Sequence, residues 1–164
     1  MPSKRINILG KDRLYFLTFS TIHWYYIFNR HNRWKILEDS LHYCIKNKGL
    51  KIGAYVFMLN HIHLIAQSSD LSGFILDFKR HTTRELMKNL EKTEPRVAQL
   101  FRDSNGQTQI WKPTNMPILL ETEKVYFQKI NYIEQNPVKK NYVEFPQYWK
   151  YSSANPNSPL PIAR

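Results

Sequence analysis

Lys51-Ile52-Gly53-Ala54-Tyr55-Val56-Phe57-Met58-Leu59-Asn60-His61-Ile62-His63-Leu64-Ile65-Ala66-Gln67 is the stretch that decides the fold. It is apolar and rich in branched and aromatic residues, so it reads as buried sheet and not as loop. Residues 51–58 and 61–67 are two strands close enough to form a hairpin around Leu59-Asn60. Side chains alternate along a strand, so His61 and His63 share one face while Ile62 and Leu64 take the other. Two imidazoles one strand repeat apart can converge on a single metal ion, and imidazole is the commonest protein ligand for one. A lone His-x-His also suits the half-exposed face of an ordinary antiparallel strand, so the rest of the chain must decide between the two readings.

Working outward from the hairpin, residues 13–21 read as a first strand with Tyr15, Leu17 and Phe19 on one face. Residues 29–48 read as a helix ended by Gly49, with Cys44 on its apolar side. Ser69-Asp70 caps a second helix whose Leu71, Phe74, Ile75, Phe78, Leu86 and Leu90 keep helical spacing. Residues 107–111 are the candidate fourth strand, and residues 121–135 a last helix. The order is strand-helix-strand-strand-helix-strand, the split βαβ arrangement. It predicts an α+β fold: a ferredoxin-like βαββαβ antiparallel sheet with helices on one face, plus an additional C-terminal helix. Residues 1–154 are expected to form a single domain, and residues 155–164, with Pro156, Pro159 and Pro161, a flexible tail.

The chain of 164 residues carries 24 Lys and Arg against 13 Asp and Glu, a net charge of +11 spread over its whole length. A folded basic domain attracts polyanions, above all nucleic acid. Membrane-surface binding is the weaker reading, because no basic amphipathic helix with an exposed apolar face stands out. No apolar run suggests a membrane span or a leader, and the single cysteine suits a reducing, cytoplasmic compartment. Exposed members of the ten tyrosines could stack bases of an unpaired strand. On the second helix Arg80, Arg84 and Lys88 recur every four residues, with Lys79 adjacent, opposite the Phe78 and Leu86 side. This row is expected to contact the phosphate backbone, which positions a strand without reading its sequence. His81 and Thr82, between these cations, are open to either a structural or a DNA-contacting role.

In the last helix Tyr126, Ile130 and Ile133 form the buried stripe, and Tyr132 is rotated off it. Gln128, Tyr132 and Asn136 share a second face. Asn136 precedes Pro137, which is expected to close the helix there.

Four segments in order carry a resemblance: Asn60-His61-Ile62-His63-Leu64-Ile65, Phe78-Lys79-Arg80-His81-Thr82, Tyr132-Ile133-x-x-Asn136-Pro137-Val138, and Pro146-x-x-Trp149-x-Tyr151-Ser152-Ser153-Ala154. Together they resemble the single-tyrosine HUH transposases of the insertion-sequence type, closest to the REP-associated tyrosine transposases. The likeness runs from about Leu14 to Ala154. It implies that His61 and His63 bind a divalent metal and that Tyr132 is the nucleophile; two neutral nitrogens and an amide oxygen leave room for water and phosphate, which suits Mg2+ or Mn2+ better than a closed structural zinc. Asn136 takes the place of a third ligand, with Gln135 and Gln128 as the alternatives. The implied activity is cleavage and joining of single-stranded or hairpin DNA through a 5′-phosphotyrosine link. The implied partners are DNA and, as an open alternative, a second copy of the chain, whose His pair the tyrosine helix could serve. One departure is that residues 111–117 lack acidic and histidine residues expected in parts of the family. Two competing readings are a non-catalytic, domesticated nucleic-acid binder on the same fold and a metal-dependent phosphoesterase that uses water.

Overall fold

The structure, a computed structural model, describes residues 13–164. Its elements are β1 (Tyr15–Ser20), α1 (Arg33–Lys48), β2 (Lys51–Phe57), β3 (His61–Gln67), α2 (Leu71–Thr93), α3 (Pro95–Gln99), β4 (Ile118–Leu119) and α4 (Glu123–Lys139). The sheet order is β2-β3-β1-β4, with every neighbouring pair antiparallel. The α1 crossover leaves a gap between β1 and β2, and β3 fills it from the β2 side; this is the predicted α+β architecture.

Alternation along the strands divides the apolar residues between two layers. Leu17, Phe19, Tyr55, Phe57, Ile62 and Leu64 face the larger core, shared with Leu37, Leu41, Phe78 and Leu86 of α1 and α2. Cys44 is buried there, as the helical spacing predicts, and burial pushes its thiol pKa up. Phe16, Ala54, Val56 and Ile65 face the opposite way, against Ile130 and Ile133 of α4. The extra helix therefore covers the face that carries His61 and His63. Its approach to β2 is close: a Cβ at Gly53 would lie 3.0 Å from the Tyr126 hydroxyl. Gly53 also marks the shift in the β2–β3 register, so the missing side chain admits both the bulge and the helix.

Four boundaries differ from the sequence expectation. α1 starts at Arg33 and not Asn29, because His31 and Asn32 adopt positive φ values of 56° and 58°. α4 does not stop at Asn136 but runs on to Lys139 through Pro137. The proline sits in the last turn, where its missing N–H removes one late bond, and Lys140 still donates to the Asn136 carbonyl.

The fourth strand is a broken edge and not the run 107–111. Ile110 accepts from Ile22 and Lys112 donates to Ser20; Asn115 then accepts from Thr18, and only Ile118–Leu119 forms a regular ladder with β1. Pro113 and Pro117 interrupt the pairing between these contacts, having no N–H to give. Residues 107–109 instead close a turn around Asp103, whose side chain accepts from the Asn105 and Gln107 N–H groups.

The fourth difference is the segment after Asn155, expected to be a loose tail, which docks along β2. Leu160 is buried, Ser158 hydrogen-bonds the Tyr55 hydroxyl at 2.7 Å, and Ala163 donates to the Ile52 carbonyl. Prolines that disfavour regular structure are compatible with an ordered strap when side chains and backbone groups find partners. Deleting residues 155–164 is expected to lower stability by about 3 kcal/mol, chiefly through loss of Leu160 burial. Urea unfolding checks this, and light scattering should show more self-association from the uncovered edge.

A second tie fixes α1 to the end of α2. Fully buried Arg33 donates to Asn89 (2.9 Å), the Ile27 carbonyl (2.9 Å), Thr93 (3.0 Å) and Glu94 (2.7 Å). Hydrogen bonds from Arg30, then Arg33, hold the Glu94 pKa down at about 2. A depressed carboxylate pKa contributes stability that is full above the unfolded value, near 4.5, and vanishes as pH falls through about 2. Glu94→Gln should therefore melt earlier than the parent at neutral pH, and the gap in Tm should close progressively across that acid window. A gap that stayed constant with pH would rule out the ionised carboxylate as its source.

Candidate active site

His63 lies on the central strand β3, directly across from Thr18 on β1 and Val56 on β2. Its ring stacks on Phe16 at 5.3 Å between centroids, and the Thr18 hydroxyl meets Nδ1 at 3.0 Å. His61 is its neighbour on the same face, with ring centroids 4.8 Å apart. His61 Nδ1 meets Asn60 Oδ1 at 2.7 Å, while Asn60 Nδ2 donates to the Trp24 carbonyl at 3.1 Å. That second bond settles which way the Asn60 amide points, so its oxygen accepts the Nδ1 proton of His61. Both rings are thus held through Nδ1, and the Nε2 lone pair of His61 is left free to bind a metal; Thr18 allows the same tautomer at His63.

Burial lowers both imidazole pKa values. The first cause is desolvation in each case, taking His61 to about 4 and His63 to about 3. Lys140 adds to the effect at His61, and His61 and Lys129 add to it at His63. At neutral pH both rings are neutral, the form that coordinates a cation.

The charges felt at the two rings follow the run of α4, Lys129 acting on His63 and Lys140 on His61. Tyr132 falls between them. Its ring is 5.4 Å from His63 and 5.9 Å from Phe16, near edge-on to both. Thus Tyr132 reaches the His pair of its own chain. Four helical residues advance about 6 Å, close to the roughly 7 Å between alternate strand residues. With Tyr132 over His63, that match carries Asn136 to the His61 end.

Asn136 is buried, and its Oδ1 is the one buried side-chain N or O atom among the described residues without a hydrogen-bond partner. An orphaned buried oxygen is costly and uncommon, and a cation is one thing that would satisfy it. No group of three or more His, Cys, Asp or Glu side chains among the described residues could hold a metal. Two neutral nitrogens and one amide oxygen nevertheless fit a divalent ion that keeps several water or phosphate ligands. Of the alternative third ligands, Gln128 is exposed and Gln135 half-buried, and neither has an unsatisfied buried atom.

No protein-family model matches the chain, and no curated protein matches it by sequence. Among solved structures it matches that of a REP-associated tyrosine transposase bound to a REP hairpin. The TM-score is 0.70 at 20% identity, covering 93% of this chain and 82% of the other. The fold is that of a REP-associated tyrosine transposase. His61, His63 and Tyr132 meet on the α4 face of this fold, and Asn136 lies one helical turn beyond Tyr132 on the same helix. Arg80, Arg84 and Lys88 are exposed on α2, which packs on the other side of the sheet.

Lys79 differs again from those three. It is half-buried and donates to the Lys112 carbonyl at 2.9 Å and the Pro113 carbonyl at 3.1 Å, and burial lowers its pKa to about 8. It ties the broken edge strand to α2. Buried Thr82 serves the same join, accepting from the Trp111 indole at 2.9 Å, whereas His81 is exposed beside Arg84.

The sequence reading gave no role to Thr18, Asn60, Lys129, Lys139 or Lys140. Only Asn60 carried a usable signal, its place immediately before the His pair. Thr18 becomes meaningful only once β1 pairs with β3, and the lysines only once α4 is laid across the sheet. Lys129 and Lys139 lie 5.4 and 5.6 Å from the Tyr132 ring centroid.

Proposed function

We propose that the protein is a DNA strand transferase that cleaves single-stranded or hairpin DNA with Tyr132 as nucleophile and a divalent metal as cofactor. The observation that carries this reading is the Tyr132 ring set 5.4 Å from His63, beside an imidazole pair held through Nδ1. In the reaction, Tyr132 Oη bonds to the scissile phosphorus and its phenolic proton is released. The bond from phosphorus to the 3′ oxygen breaks, and that oxygen takes up a proton to leave as a 3′-hydroxyl. The resulting 5′-phosphotyrosine keeps the phosphodiester energy, so attack by another 3′-hydroxyl joins strands and frees the tyrosine. Mg2+ or Mn2+ held by His61 Nε2, His63 Nε2 and Asn136 Oδ1 would neutralise charge on the phosphate and polarise a non-bridging oxygen.

Lys129, Lys139 and Lys140 balance the phosphate charge around the tyrosine and hold the strand in place for in-line attack. Phe16 and Ile133 keep the base of the site dry by packing beneath the tyrosine and along the helix. Arg80, Arg84 and Lys88, behind the sheet, would serve a part of the DNA remote from the scissile phosphate. Among the described residues no helix is long and apolar enough to cross a membrane.

Among the described residues no third acidic or histidine side chain joins the pair, which favours one alternative, a binder that holds DNA without cutting it. Labelled single strands and hairpins incubated with Mn2+ and run on a denaturing gel decide between the two. A metal-dependent covalent protein–DNA band supports the transferase. Tight binding with neither cleavage nor a band supports the binder, and cleavage without a band supports hydrolysis by water.

A further inference from the structure

The loop after β1 carries a feature that the chemistry at Tyr132 leaves unexplained. His23 and Trp24 both have positive φ, 54° and 56°, although neither is glycine. A non-glycine residue in that region is uncommon, and two in succession persist only where surroundings impose them. The surroundings here do so. The Trp24 N–H donates to the Thr21 carbonyl, the Thr21 hydroxyl donates to the Tyr25 carbonyl at 3.0 Å, and Asn60 grips the Trp24 carbonyl.

The outcome is an indole held in the open: Trp24 is 54% exposed, and the Lys112 ammonium lies 3.3 Å from the ring centroid. An exposed, rigidly presented indole backed by a cation has little use in a core. Its backbone is one hydrogen bond from Asn60, and Asn60 is one hydrogen bond from His61. The backbone that carries the platform is therefore anchored at the His61 end of the site.

We propose that Trp24, backed by Lys112, is a stacking platform for an unpaired nucleobase next to the scissile phosphate. Every base presents a π-face, so an aromatic platform takes an unpaired base with little regard to sequence. A paired base is already stacked within its duplex and gains nothing from the indole. Lys112 supplies charge for the neighbouring phosphate and orients the ring. This role selects for unpaired DNA at that position, and it rests on reading the His61–Tyr132 site as a DNA site.

The test uses full-length protein with Tyr132→Phe, so that binding is measured without cleavage. The probes are short single strands and hairpins with single-stranded flanks, carrying 2-aminopurine at successive positions, with fully paired duplex as control. The parent should quench 2-aminopurine at one unpaired position. Trp24→Ala should lose that quenching and about tenfold in single-strand affinity, on the scale of one lost base stack. Trp24→Phe should keep most of both, and duplex affinity and Tm should not move. Single-strand affinity and quenching unchanged in Trp24→Ala would overturn the platform and leave the DNA site standing. Equal losses for duplex and single strand, with an earlier Tm, would overturn it in favour of a loop-folding role. A parent that bound no single strand would overturn both readings together.

Discussion

Tyr132→Phe is expected to abolish the covalent adduct and to reduce strand cleavage by about 10^4-fold or more, the scale on which loss of a nucleophile costs an enzyme. The variant isolates the hydroxyl. Phenylalanine keeps the ring edge-on to His63 and Phe16, and the residue is 39% exposed, so stability should stay within about 0.5 kcal/mol. Single-strand affinity should hold too, because Lys129, Lys139 and Lys140 are untouched. The decisive measurement is a gel of metal-incubated DNA beside a binding titration of the same strands. Loss of the band with binding intact assigns the nucleophile. A band that survives would move the role to another tyrosine, and exposed Tyr142 and Tyr148, beyond the end of α4, would be the next to test. An unchanged cleavage rate with no band in either protein would mean that water is the nucleophile.

What was legible beforehand follows from the range of the interactions involved. Alternation in residues 51–67 is local, so the hairpin and the shared face of His61 and His63 could be read directly, and β2 and β3 appear within a residue of the expected places. Apolar spacing in α2 is equally local, as is its Asp70 cap, whose side chain accepts from the Gly73 N–H. The edge strand was misplaced because its register depends on β1, and because Pro113 and Pro117 split it into pieces too short to show a period. The strap after Asn155 was misread for a related reason. Its order comes from partners such as Tyr55 and Ile52, about a hundred residues earlier in the chain, and proline content says nothing of those.

Within the candidate site, the residues proposed to carry the chemistry could be picked out from sequence, and those that surround them could not. His61, His63, Tyr132 and Asn136 share motifs and helical or strand spacing. Thr18 owes its role to strand pairing alone. The α2 cations show a related limit: Arg80, Arg84 and Lys88 recur every four residues with Lys79 adjacent, yet nothing in a helical period says which side of the sheet they will occupy. Lys79 is half-buried and donates to the Lys112 and Pro113 carbonyls, contacts that its sequence neighbours do not announce.

Replacing both His61 and His63 by alanine should remove Mn2+ binding and lower cleavage by about 10^3-fold or more, since charge stabilisation by a metal is worth several kcal/mol. Titration calorimetry with Mn2+ reads the first effect, and the adduct gel the second. Deleting the buried His63 imidazole also leaves a cavity, so loss of activity in this double variant alone could reflect a loosened sheet. Asn136→Leu separates the two causes, because its effects on folding and on the metal have opposite signs. Oδ1 of Asn136 is buried without a partner. An apolar side chain of similar volume removes that unsatisfied oxygen and should stabilise the metal-free protein by about 1–3 kcal/mol. The same change would remove the proposed oxygen ligand, and Mn2+ affinity should fall by about tenfold or more, as even losses outside the ligand shell do. Higher Tm together with weaker metal binding is a signature that damage to the fold cannot produce. If Asn136→Leu instead lowered Tm and left Mn2+ affinity unchanged, Asn136 would be a packing residue, and Gln135 the next candidate for the third ligand.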